Sequence, residues 1–169
     1  EAKDSAREVT LWSGITRSKV PMNRRKKEMN GKITMRPNPD GEVCNNLPVS
    51  LFKDHSGKPV CLLFSVSCHP STIKGDDRAY QVSADYPGAA MNRIDSYLGT
   101  GGSLFLQGAA GDSKPSVIGE GEKNWRSGTW KDVGEAGGML AEEVIQTIET
   151  GLRPVEPDLE TFEVMVNLP

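Results

Sequence analysis

The chain has 169 residues, 36% of them hydrophobic and 25% charged, with a net charge of -3. That length suits one domain with a real core, and the overall negative charge excludes a general attraction to nucleic acid or to an anionic membrane. No run of about 18 apolar residues exists, so no transmembrane segment is expected, and the three cysteines, Cys44, Cys61 and Cys68, are an odd number that excludes a complete disulfide framework.

The N-terminal part, up to about residue 45, is polar, with a candidate short strand at Val9-Thr10-Leu11-Trp12. The run Arg24-Arg25-Lys26-Lys27 reads as a solvated basic face. Pro37, Pro39 and Asp40-Gly41 mark a turn-rich loop. Leu47, Val49 and Leu51 alternate with Pro48, Ser50 and Phe52, which predicts a strand near a sheet edge. Asp54 to Lys58 is a hairpin connection in which Gly57 is free to take a positive φ. Residues 59–68 are almost continuously apolar or small and predict a central strand covered on both faces.

After a polar loop, Asp85-Tyr86-Pro87-Gly88 opens a helix whose apolar stripe is Ala90, Ile94, Tyr97 and Leu98, stopped by Gly99 to Gly102. Residues 103–107 form a short buried strand, followed by the small-residue loop Gly108-Ala109-Ala110-Gly111-Asp112 and an irregular stretch to Asp132. A second helix is expected over 133–150, with Gly151 as its stop, and a last strand near Leu159. The pattern predicts an α/β or α+β fold, a mixed sheet with helices packed on it. The chain begins at Glu1 and stops within an alternating stretch, so residues 1–169 read as a single domain that is an internal piece of a longer polypeptide.

Ligands of such sheets gather beyond the carboxyl ends of strands, and two loops leave strands in that way, one opening with His69 and one with Gly108. His69 is one of two histidines, and Pro70 biases it toward extended backbone. An imidazole there serves as a zinc ligand, as a general base, or as a structural group satisfied by a backbone carbonyl. Asp85 is either a helix cap or a support that accepts a hydrogen bond from the far ring nitrogen of His69. Gly111 and Asp112 either present main chain and a carboxylate to a ligand or simply make a turn. Ser113 and Ser116 lack a Gly-x-Ser-x-Gly elbow. Trp125 and Trp130 form either a substrate wall or a cover for the core edge.

The ordered motifs SGITRSKVPMNRR, RPNPDG, CHPST, SADYPGAA and FLQGAAGDSKP resemble the neutral/alkaline non-lysosomal ceramidase family, most closely its divergent bacterial members. The resemblance spans roughly residues 12 to 150. It implies a fragment of a larger α/β catalytic domain that hydrolyses an amide bond of an N-acyl, lipid-like small molecule with one catalytic Zn2+. It further implies that His69 is a zinc ligand, that Asp85 belongs to the same active-site region, and that Gly111, Asp112 and Pro115 match a Gly-Asp-x-x-Pro loop at the substrate end. The other zinc ligands, a histidine upstream and a glutamate and tyrosine downstream, lie outside this chain, so the piece alone is expected to be metal-free and inactive. Lys114 stands where ceramidases proper carry a serine treated as catalytic. The family is typically secreted or membrane-associated, which implies an extracytoplasmic location. Two other readings stand beside it: a non-catalytic ligand- or partner-binding domain derived from that fold, and an independent fold holding an anion at the Gly108–Asp112 loop.

Overall fold

The structure, a computed structural model, describes residues 6–75, 80–100, 102–156, 158 and 160–167. Its strands are β1 (Thr10–Arg17), β2 (Pro21–Asn23), β3 (Lys26–Lys27), β4 (Ile33–Thr34), β5 (Asn46–Lys53), β6 (Pro59–Val66), β7 (Ser103–Gln107), β8 (Ser113–Pro115), β9 (Gly119–Glu120), β10 (Asn124–Trp125) and β11 (Arg153–Val155). Helix α1 (Asp85–Leu98) lies between β6 and β7, and α2 (Trp130–Thr150) lies between β10 and β11. The main sheet has five strands in the order β11-β1-β5-β6-β7. Its pairs are antiparallel except β6 with β7, which are parallel. This is the mixed α+β architecture that the sequence predicts.

The core is one layer between the sheet and the two helices. Leu47, Val49 and Leu51 of β5 and Leu62, Phe64 and Val66 of β6 point to one face and are buried. Tyr86, Ala90 and Ile94 of α1 and Val133, Ala136, Leu140, Ala141 and Val144 of α2 cover that face. Each Leu- or Phe-sized side chain withdrawn from water there contributes about 1.5–3 kcal/mol. The helices cross closely, because a Cβ at Gly137 would lie 2.5 Å from Ala89 Cβ and 2.8 Å from Tyr86 O.

Gly57 takes φ +83 in the hairpin, as expected, and Gly99, at the expected stop, ends α1 as a left-handed cap at φ +66.

Several expectations change. The apolar run of β6 is covered on one face only; Cys61 and Leu63 point to the other face and are half-buried, beside Leu104 and Leu106 at 54% exposure each. β5 is internal rather than near an edge, and Pro48 is accommodated because pairing with β6 begins at Val49. The first strand starts at Thr10 and runs on to Arg17. The second helix starts at Trp130, not Val133, because Thr129 and Asp132 form a reciprocal capping box. Leu159 lies outside the described residues, and 160–167 form no strand; the last strand is β11, which adds Arg153–Val155 to the edge at β1. The irregular stretch after Asp112 contains β8, which pairs with β2, and the β9–β10 hairpin.

Candidate functional site

Because β6 and β7 are parallel, with Val66 opposite Gln107, their carboxyl ends leave the sheet side by side. The two exits are then tied to each other. Gly108 N–H donates to Val66 O (3.1 Å), and Ser113 Oγ donates to Ser67 O (2.6 Å). Tyr86 Oη donates to Cys68 O (2.7 Å), and Gln107 Nε2 donates to the same carbonyl (3.3 Å). A Cβ at Gly108 would meet Ser67 Oγ at 2.4 Å, so only glycine lets the loop pass this close to the strand end. Three side chains from α1, β7 and β8 thus fix the main chain immediately before His69.

His69 is half-buried, and among the described residues its ring has no hydrogen-bond partner. A backbone carbonyl does not satisfy it. Its own carbonyl accepts from Ser71 N–H (2.8 Å), which turns the chain just past Pro70. Cys68 is fully buried, and burial pushes its thiol up to about 12, so it is no nucleophile at neutral pH. Burial likewise raises the Tyr86 phenol, which stays a neutral donor. Ser113 is buried with its hydroxyl spent on Ser67 O, which removes it as a free nucleophile. His55, in the hairpin, meets only exposed Glu8 at 3.4 Å.

Asp85 is buried and takes φ +52, a conformation few side chains adopt. Its Oδ2 accepts from the main-chain N–H of Thr72 (2.9 Å) and Ile73 (3.3 Å), and its Oδ1 accepts from Tyr86 N–H (2.7 Å). These bonds join the loop after His69 to the start of α1; none of the described bonds of Asp85 reaches the His69 ring. Asp85 also borders a cleft between the helix starts, with Ser83, Gly88, Trp130 and Gly134.

Asp112 is half-buried and borders a separate groove with Arg17, Pro21, Gly41 and Asn45. Gly111 has no positive φ, and a Cβ there would meet nothing within 4 Å. Neither its backbone angles nor the packing of this chain requires glycine at that point, and the space above it is open.

The basic run does not form one solvated face. Lys26 pairs with Glu122, whereas Arg24 turns to the Gly111 loop. Arg24 N–H donates to Asp112 O (2.7 Å), and its Nη2 and Nε donate to Gly111 O (3.0 and 3.3 Å). On the neighbouring strand Lys114, opposite Met22, lies half-buried with Nζ 5.2 Å from the centre of the Trp125 ring. Burial first, then the charges of Lys74 and Arg24, lower the pKa of its ammonium. The sequence offers no signal for this convergence, since Arg24, Lys74 and Lys114 are far apart along the chain. Trp125 is thereby the floor under a cation, with its own Nε1 buried and unpartnered.

Among the described residues no group of three His, Cys, Asp or Glu side chains gathers as a cation site. The His69 imidazole is a suitable donor for zinc but a single one, and a catalytic zinc takes roughly three protein ligands.

No protein-family model and no curated protein sequence matches the chain. Among solved structures it is similar to a ceramidase complexed with C2, with a TM-score of 0.66 and 16% identity over 88% of this chain and 23% of that one. It is also similar to the neutral ceramidase from Pseudomonas aeruginosa, with a TM-score of 0.64 and 16% identity over 88% of this chain and 24% of that one. At this identity the likeness is one of fold: the chain has the ceramidase-like fold that its motifs suggest, and spans less than a quarter of either structure.

Proposed function

We propose that this chain contributes one wall of the active site of a zinc-dependent amide hydrolase acting on an N-acyl, lipid-like substrate, within a longer polypeptide located outside the cytoplasm. The observation that carries the reading is the strand exit itself. Hydrogen bonds from Tyr86, Gln107 and Ser113 fix the backbone before His69, while the His69 ring is left half-exposed and without a partner among the described residues. A ring whose main chain is fixed and whose nitrogens are committed to no described neighbour keeps a lone pair for a metal. The fold shared with the two ceramidase structures supports the class of chemistry.

In this reading His69 is one zinc ligand and the remaining ligands come from outside the chain. Zinc, when bound, polarises an amide carbonyl and makes bound water acidic. Asp85 acts as a positioning residue that holds the loop at Thr72 and Ile73 against α1. Gly111 and Asp112 lie at the substrate end, where the glycine leaves the main chain bare for close approach. The test is elemental analysis and hydrolysis of a short-chain ceramide by the full-length protein and its His69→Ala variant. Stoichiometric zinc lost in the variant together with activity is the expected result. Full zinc retention in the variant overturns the assignment.

One observation favours a second reading, a binding domain without catalysis: a lysine, Lys114, stands at the position of the family's serine. A full-length protein that holds no zinc and hydrolyses no amide, yet binds N-acyl compounds, would select it.

A further inference from the structure

The described ion pairs of the molecule use Lys26, Arg36, His55, Arg93 and Arg126 as their cations. Arg24, Lys74 and Lys114 are absent from that set: among the described residues, none of the three meets a carboxylate at ion-pair distance. They nevertheless converge. Arg24 is pinned over the Gly111 loop through its Nε and Nη2. Lys114 sits on the adjoining strand β8, one residue beyond Ser113, which is tied to the end of β6. Lys74 is brought in from the loop after His69, where its N–H donates to Gly128 O (3.0 Å) beside the Trp125 hairpin. Arg24 and Lys74 are near enough to Lys114 to disfavour its charge.

Like charges that meet no carboxylate among the described residues repel one another, and holding one of them half-buried over an indole adds a desolvation cost. The fold opposes that cost with hydrogen bonds to main-chain carbonyls at Arg24, Lys74 and Ser113. In a chain of net charge -3 the concentration is local rather than a general surface property. Such an arrangement is relieved when an anion enters it, because an anion returns Coulomb energy to all three cations at once. The open main chain at Gly111 lies next to the cluster and admits a ligand without a side chain in the way.

We propose that Arg24, Lys74 and Lys114 form an anion-binding station beside the His69 strand exit, and that the preferred substrate is an N-acyl compound whose amine portion bears a carboxylate. The substrate clause rests on the hydrolase reading above; the anion station does not. The carboxylate is held at the cation cluster, with Lys114 as its central contact. A neutral N-acyl amino alcohol offers the three cations a hydroxyl acceptor but no charge, and leaves their repulsion in place.

The experiment compares N-lauroylglycine with N-lauroylethanolamine on the full-length protein, measuring both binding by calorimetry and kcat/KM. N-lauroylglycine is expected to bind about five- to tenfold more tightly, as befits one half-exposed charge contact worth roughly 1 kcal/mol. Lys114→Met should bring that preference to within about twofold, Lys114→Arg should retain it, and Lys74→Glu should reverse it, with thermal melts confirming that each variant is folded. If hydrolysis occurs, the ratio of kcat/KM values should follow the same order. Equal binding of the two compounds, or a preference untouched by Lys114→Met, overturns the anion station whether or not the protein hydrolyses either. Preferential binding of the glycine conjugate with no hydrolysis of any amide upholds the station and rejects the hydrolase reading.

Discussion

Asp85 offers the sharpest test of how the site is held, because its two sequence roles predict different losses. Its carboxylate accepts three main-chain N–H groups, those of Thr72, Ile73 and Tyr86, and its backbone sits at φ +52. Leaving a buried amide unpaired costs about 1–3 kcal/mol. Thr72 and Tyr86 are fully buried, whereas Ile73 is half-buried and its bond is longer, at 3.3 Å, so it counts at the low end. Alanine in the left-handed region adds roughly 1–2 kcal/mol, a cost smaller for Asp or Asn and nil for Gly. Asp85→Ala should therefore lose about 4–6 kcal/mol, comparable to the whole stability of a marginal domain. Asp85→Gly loses the same bonds without the backbone penalty and should be about 1 kcal/mol less damaging. Asp85→Asn keeps one oxygen, turns an N–H2 toward at least one amide, and should lose about 1–3 kcal/mol. Urea unfolding of the full-length protein and the three variants at one pH gives the order Asn, Gly, Ala from mildest to worst. An alanine variant within about 0.5 kcal/mol of wild type would refute the positioning role. If Asn were equally stable but zinc were lost, Asp85 would instead belong to the His69 ring.

Two helix glycines should respond in opposite directions. Gly134 is exposed and a Cβ there meets nothing within 4 Å, so Gly134→Ala should stabilise by up to about 1 kcal/mol. Gly137 faces Ala89 Cβ, Tyr86 O and Ala90 N at 2.5, 2.8 and 3.0 Å, atoms without a flexible end to give way. Gly137→Ala should lose roughly 1–2 kcal/mol after the same propensity gain, read as a shift in denaturation midpoint. At the start of α2, Asp132 accepts from Arg126 Nη1 and Nη2 (2.8 and 2.5 Å) and from Thr129 N–H (2.7 Å). The Arg126 hydrogen bonds, chiefly, hold its carboxyl well below the usual carboxylate range. A carboxyl depressed in the folded state stabilises fully above its unfolded value of about 3.9, and that stability is lost as pH falls from there toward the folded value. Between about pH 4 and pH 2 the urea midpoint should fall less steeply in Asp132→Asn than in wild type; identical slopes would show that Asp132 is not a source of the acid sensitivity.

What could be read from the sequence, and what could not, divides along a physical line. Apolar periodicity and backbone punctuation are local, and they gave the α1 span opened by Asp85 and stopped at Gly99, the Gly57 hairpin and the two loops that leave β6 and β7. Apolar composition states that a face can be buried and not that it is; hence the run in β6, expected to be covered twice, is covered once. β11 escaped notice because Arg153-Pro154-Val155 looks like a helix stop, although on an edge strand a residue without N–H is tolerated on its outer side. The capping box at Thr129 was legible as a threonine three residues before an acid, but the tryptophan at Trp130 hid the onset of helical spacing.

The site is less legible than the fold for a reason that follows from its construction. Tyr86, Gln107 and Ser113 reach the main chain just past strand β6, at Cys68, Cys68 and Ser67, across 18, 39 and 46 residues respectively, each through a polar bond to a carbonyl. Such a bond leaves no periodic trace, and the carbonyl it serves has no side-chain identity at all. The same holds for Arg24, Lys74 and Lys114, separated by 50 and 40 residues and united only by how β2, β8 and the loop after His69 meet. Motif resemblance could therefore point to His69 and to the Gly111-Asp112 loop, the candidate site. It could not show that neutral donors gather on one side of them and, on the other, cations that meet no carboxylate among the described residues; on the proposal above, that asymmetry suits the exit to an amide whose far end is negative.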